Sequence, residues 1–102
     1  MTNSFAASDN FDKFRNQDEV KLIERVVSGE KRAIERLFEK YRKVVLKISE
    51  KYMDRGVYAE KLMDAGNQGL LKAAKRFHDT VVFNFSAYAA WWIRESILKK
   101  LK

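Results

Sequence analysis

Residues 86–102, SAYAAWWIRESILKKLK, decide the fold. The run holds neither proline nor glycine. Ala89, Ile93, Ile97 and Leu101 recur every fourth residue, which stacks them on one side of a helix as its expected buried face. Tyr88, Trp91, Glu95, Leu98 and Lys102 share a different face, and Trp92 lies beside the apolar stripe. One tryptophan is therefore expected in the core and the other partly in solvent. Ser86 is the expected N-cap.

Upstream of this helix the same period continues. Residues 59–77 predict a helix with Leu62, Met63, Leu70, Ala73 and Ala74 inward, followed by a loop from His78 to Asn84. Gly66 and Gly69 lie inside that helix, each about 1 kcal/mol less favourable than alanine, which makes sense where a second backbone approaches closely. Ala33, Ile34, Leu37, Phe38, Tyr41, Val44, Val45, Ile48 and Tyr52 form one broad stripe, so a single helix is expected from about Glu30 to Gly56. Val20, Ile23, Val26 and Val27 mark a first helix. Asn16 with Glu19 opens it as a capping box, and Gly29 closes it. Residues 1–16 are polar with isolated Phe5, Phe11 and Phe14, and read as a loose arm. The expectation is an all-α bundle of about four helices over residues 17–102.

Composition narrows the function. With 46% hydrophobic and 34% charged residues, the 102-residue chain has the balance of one folded domain. Absence of cysteine excludes disulfides and thiolate metal sites and points to a cytoplasmic setting. Apolar runs fall far short of the roughly 20 residues that cross a membrane. His78 is the single histidine, and neither a nucleophile elbow nor a phosphate-binding glycine loop occurs. No enzyme activity, catalytic residue, metal or cofactor is expected.

The net charge of +7 is unevenly spread. Residues 72–102 hold seven Lys/Arg against two Asp/Glu, whereas residues 1–30 hold four against six. A basic C-terminal part suits an anionic partner, although a solvated lysine-rich face has the same composition. Phe77, His78, Phe83, Phe85, Tyr88, Trp91 and Trp92 crowd the same region. Rings beside cations are what unpaired bases and their phosphates require. Small helical domains also fill their cores with rings, so spacing leaves both readings open.

The strings KYRKVVLKISEKYMDRG (40–56), DAGNQGLLKAAKRF (64–77) and FNFSAYAAWWIRESI (83–97) resemble region two of the sigma-70 family of bacterial transcription initiation factors. The resemblance implies an all-helical domain that docks on the clamp coiled coil of the largest subunit of core RNA polymerase. It also implies capture of a flipped non-template base of the minus-ten promoter element. By this resemblance Phe83, Phe85, Tyr88, Trp91 and Trp92 match the melting aromatics. Lys72, Arg76, Arg94 and Lys99 occupy basic positions suited to phosphate, and Glu95 and Leu98 correspond to positions that meet the duplex edge. The polymerase-binding set is Glu60, Lys61, Asp64, Asn67 and Leu71.

The chain departs from the pattern at several positions. Lys61 and Ala65 stand where the family carries carboxylates, which implies docking that is weaker or aimed at a variant polymerase. Val81 and Val82 replace an arginine-glycine pair, and Ala87 replaces a threonine. Glu95 replaces a glutamine and can only accept hydrogen bonds; Leu98 replaces a threonine and makes none. An alternative reading is thus a sigma-like adaptor or regulator that binds polymerase or an anti-sigma factor without opening DNA, or half of a two-subunit sigma factor. A full sigma factor of the family adds a downstream helix-turn-helix domain, so an excised domain and a stand-alone chain with a second subunit both stay open.

Overall fold

The computed structural model describes residues 15–77, 79–80 and 84–102, the side chain of Arg55 excepted. His78, Val81, Val82, Phe83 and residues 1–14 of the expected arm lie outside the described residues. The described residues form five α-helices and no strand: α1 (Gln17–Val27), α2 (Lys31–Lys40), α3 (Arg42–Glu50), α4 (Ala59–Phe77) and α5 (Phe85–Lys100), with a 3₁₀ turn at Met53–Arg55 before α4.

Asn16 caps α1 as expected, its side chain accepting from the Glu19 amide at 3.0 Å. The reciprocal half of the capping box does not form, because the Glu19 carboxylate is held elsewhere. It accepts from the Tyr41 hydroxyl and lies 3.1 Å from the Lys40 ammonium. Gly29, at φ 89°, ends the segment in the left-handed region open to glycine. Arg25 and Glu30 pair across that turn, which holds the Glu30 carboxyl below its ordinary range.

The long second helix is divided. α2 stops at Lys40 and α3 starts at Arg42, with Tyr41 between them at φ −105°, ψ 10°. Neither proline nor glycine causes the break. It falls at a ring that tertiary contacts hold: Tyr41 is buried, meets Phe85 edge-on at 5.6 Å, and has its hydroxyl 3.1 Å from Ser86 Oγ. The apolar stripe runs on through the break, so Ala33, Leu37, Tyr41 and Val45 are all in the core.

α4 and α5 run antiparallel: Phe77 meets Phe85 at one end, and Lys61 and Lys100 line one groove at the other. Leu62, Leu70, Ala73, Ala74 and Phe77 of α4 face Phe85, Ala89, Ile93 and Ile97 of α5 in a shared core. Burying a Leu, Ile or Phe side chain stabilises by about 1.5–3 kcal/mol, so this pair of helices dominates the fold. The two internal glycines are where α4 meets its neighbours most closely. A Cβ at Gly66 would lie 2.7 Å from Val45 Cγ1 of α3, and one at Gly69 would lie 2.5 Å from the Trp92 carbonyl oxygen of α5.

Two further expectations need correction. The N-cap of α5 is Asn84, whose side chain accepts from the Ala87 amide at 3.2 Å; Ser86 sits inside the first turn and bonds to Tyr41 instead. Arg15 is not part of a loose arm. It is buried, with its guanidinium 3.9 Å from the Phe77 ring centre, and it donates to the carbonyl of Thr80 at 2.8 Å. Arg15 thereby clips the chain before α1 to the end of α4.

Candidate nucleic-acid interface

A chain of rings runs from the core to the surface. Tyr41 meets Phe85, Phe85 meets Phe77 at 5.1 Å, and Phe77 meets Tyr88 at 6.0 Å. Tyr88 then meets Trp92 at 6.2 Å, and Trp92 meets Trp91 at 5.3 Å. Most of these contacts are edge-to-face, the arrangement that the ring quadrupole favours. Burial falls along the series. Phe85 is 1% exposed, Tyr88 and Trp92 are partly buried, and Trp91 is 50% exposed.

The aromatic set therefore divides. Phe85 is a core residue, fixed between Tyr41 and Phe77, and no strand can reach its ring without unpacking the domain; its assignment to DNA contact is corrected to packing. Tyr88 and Trp92 support the outermost ring. Trp92 is held further by Arg76, whose guanidinium lies 5.1 Å from its ring centre, a cation–π contact. Trp91 carries the available face. Phe83 lies outside the described residues.

Trp91 forms a ridge between two grooves. On the α4 side, a groove of about 590 Å³ is lined by Trp91, Trp92, Glu95, Leu98, Lys72 and Lys99, with Lys102 at its edge. This is the second face read from the sequence, less Tyr88. On the other side, Ile48, Lys51 and Tyr52 from α3 and its C-terminal turn face Ala87, Ala90, Trp91 and Arg94. Glu95 is the acidic member of the first groove. Its carboxylate lies 3.7 Å from the Arg94 guanidinium, and both side chains are nearly half exposed.

The residues expected to bind polymerase sort onto two stripes of α4. Glu60, Asp64, Asn67 and Leu71 follow one another at helical spacing on one line, where Glu60 and Asp64 are exposed and Leu71 packs partly on the core. Lys61 lies on the next line with Ala65, Gln68 and Lys72, turned towards α5. Sequence reasoning missed Lys51, Gln68 and Ser96. The period that revealed Leu62 and Leu70 also places Gln68 between Lys61 and Lys72, so the signal was present; Lys51 comes from another segment and left none.

The family model of sigma-70 region 2 matches residues 37–102. The chain belongs to the sigma-70 region 2 family. It is 39% identical over 84 residues to an RNA polymerase sigma factor SigA of Bacillus sp, and 35% identical over 85 residues to the SigA of Clostridium acetobutylicum. These alignments cover 82% and 83% of this chain but 22% of each relative, so the chain spans about a fifth of their length. No solved structure matches it. In this region 2 domain the matched span begins at Leu37, in α2, and takes in the whole α4–α5 pair together with both grooves. Among the described residues no group of His, Cys, Asp or Glu is placed to hold a metal ion, and no helix is long and apolar enough to cross a membrane.

Proposed function

We propose that this chain is the part of a sigma factor that docks on the clamp of core RNA polymerase and holds the opened non-template strand of the minus-ten element. The Glu60, Asp64, Asn67 and Leu71 stripe of α4 forms the docking face. A flipped base stacks on Trp91, and Lys72 and Lys99 take its neighbouring phosphates. The observation that carries this reading is the half-exposed Trp91, braced edge-on by Trp92 at the margin of a lysine-lined groove. Flipping a base costs a few kcal/mol of pairing and stacking, and a ring in its path returns part of that.

The test is binding of a non-template single strand in the presence of core polymerase. Removing the Trp91 ring should weaken strand binding by roughly tenfold, in line with about 1–3 kcal/mol per stacked base. Equal binding by wild type and Trp91→Ala would sink the reading.

Glu95 and Leu98 in the same groove favour a second reading, an adaptor that binds polymerase or an anti-sigma factor without opening DNA. A carboxylate repels phosphate, and leucine offers no hydrogen bond to a base edge. This reading expects polymerase association with promoter-specific transcription at background. Specific transcripts from a reconstituted holoenzyme would rule it out.

A further inference from the structure

Among the described residues, Arg15 is the one charged side chain that is buried. Taking a cation out of water is costly unless it is held, and here it is held at one place. Its Nη2 donates to the carbonyl oxygen of Thr80 at 2.8 Å, to that of Phe77 at 3.4 Å and to the Thr80 hydroxyl oxygen at 3.5 Å. Phe77 ends α4, where carbonyls run out of helical donors and the dipole favours a positive charge. The same guanidinium lies over the Phe77 ring, 3.9 Å from its centre and within cation–π range.

Phe77 is also the ring on which the outer aromatics lean. It meets Phe85 at 5.1 Å and Tyr88 at 6.0 Å, and Tyr88 leads on to Trp92 and then to the half-exposed Trp91. Arg76, whose guanidinium covers the Trp92 ring, precedes Phe77 in the same last turn of α4. Loosening that turn therefore reaches the tryptophan pair by two routes. We infer that Arg15 is a positioning residue for strand binding: it locks the last turn of α4 so that Tyr88, Trp92 and Arg76 hold Trp91 in the orientation on which a base stacks. The inference rests on the Trp91 reading above. Arg15 itself is buried and acts only through these rings. The competing account is that Arg15 merely fastens the chain before α1 to the fold, with no effect on the tryptophans.

The experiment compares the full 102-residue chain with Arg15→Met, Arg15→Lys and Trp91→Ala, at a temperature where urea denaturation shows wild type to be folded. Three quantities are measured: near-ultraviolet circular dichroism of the indoles, affinity for core polymerase, and affinity of the polymerase-bound chain for a non-template single-stranded deoxyoligonucleotide. The chain has two tryptophans, Trp91 and Trp92, so the indole signal reports on this pair alone. Arg15→Met keeps an apolar side chain of similar length and removes the cation. It should lose indole signal and about threefold in strand affinity, a part of the roughly tenfold that the whole ring contributes. Polymerase affinity should stay at the wild-type value, because Asp64 of the docking stripe lies about 20 Å along α4 from Phe77. One nitrogen makes the hydrogen bonds to Phe77 and Thr80, so the ammonium of Arg15→Lys can replace it and should recover most of both losses. Wild-type indole signal and strand affinity in Arg15→Met overturn the inference, as does an equal fall in polymerase and strand affinity. Failure of Arg15→Met to fold makes the residue structural, and an Arg15→Lys no better than Arg15→Met removes the cation's role; each overturns the inference too. Full strand affinity in Trp91→Ala sinks the stacking reading and the purpose given to Arg15 with it, whereas a loss confined to Trp91→Ala sinks the positioning alone.

Discussion

The backbone of α4 at Gly69 lies against the backbone of α5 at Trp92, so closely that a Cβ on residue 69 would sit 2.5 Å from the Trp92 carbonyl oxygen and 2.9 Å from its carbonyl carbon. The contact fixes how far the tryptophan pair stands from α4. It also sets the width of the groove that Lys72 and Lys99 share with Trp91.

Gly69→Ala should therefore be costly although alanine is the better helix former. The propensity gain is about 1 kcal/mol, while forcing two helix backbones apart in a packed core costs about 1–3 kcal/mol and occasionally more. With backbone atoms as the obstacle the upper end applies, so a net loss of about 1–2 kcal/mol is expected, seen as a lower urea midpoint with unchanged slope. Gly66→Ala is the control. Its neighbours are side-chain rather than backbone atoms, Val45 Cγ1 at 2.7 Å and Ile93 Cγ2 at 3.3 Å; both belong to buried β-branched residues, so a loss smaller than at Gly69 is expected, not none. Equal losses in the two variants would contradict the backbone-contact account.

Tyr41 links three helices through its hydroxyl, which donates to Glu19 of α1 and shares a hydrogen bond with Ser86 at the start of α5. Tyr41→Phe keeps the buried ring and removes the link, so about 1–2 kcal/mol of stability should be lost. The pH dependence has a definite sign. Burial, then the hydrogen bond to Glu19, push ionisation of Tyr41 well above the usual tyrosine range. Below about pH 10, both folded and unfolded chains hold this proton and its contribution is complete. Above it the unfolded chain releases the proton first, and stability falls as pH rises towards the folded value. Wild type should lose stability more steeply than Tyr41→Phe in alkaline denaturation. Parallel curves for the two proteins would count against the link.

The residues that the sequence revealed are those whose role follows from local period. Ala89, Ile93 and Ile97 are buried, Leu101 packs at their edge, and the Trp91, Glu95, Leu98, Lys102 face lines a groove. Gly66 and Gly69 were legible because glycine inside a good helix needs a steric reason. What stayed hidden depends on partners distant in the chain. The break at Tyr41 leaves the apolar stripe intact, so periodicity passes straight through it. Asn84 and Ser86 are equivalent as caps in sequence, and only the Tyr41 hydroxyl, which engages Ser86, separates them. Burial of Arg15 depends on carbonyls more than sixty positions away, which no window of sequence reaches. Phe85 is grouped with the DNA-contacting aromatics by the resemblance alone, since spacing left core and surface open, and it is a core ring by its contacts.

The last expectation concerns Glu95, whose carboxylate faces the groove beside Trp91 and Lys99. Any phosphate drawn in by the lysines meets this like charge, and Arg94, 3.7 Å away on the same turn, offsets it only in part. Exposed charge pairs are worth about 0.2–1 kcal/mol, so removing the carboxylate should tighten single-strand binding by at most about fivefold at low salt. The gain should shrink as salt rises, because the interaction is screened beyond about 10 Å at 0.1 M. Glu95→Gln has a second consequence. Glutamine can donate and accept together, as adenine requires, whereas glutamate can only accept, for example from a cytosine amine. In a selection from random duplex sequences with holoenzyme, the variant should shift preference towards adenine at the position that residue 95 meets. Tighter single-strand binding with an unchanged preference would mean that Glu95 acts through charge alone and does not touch a base edge.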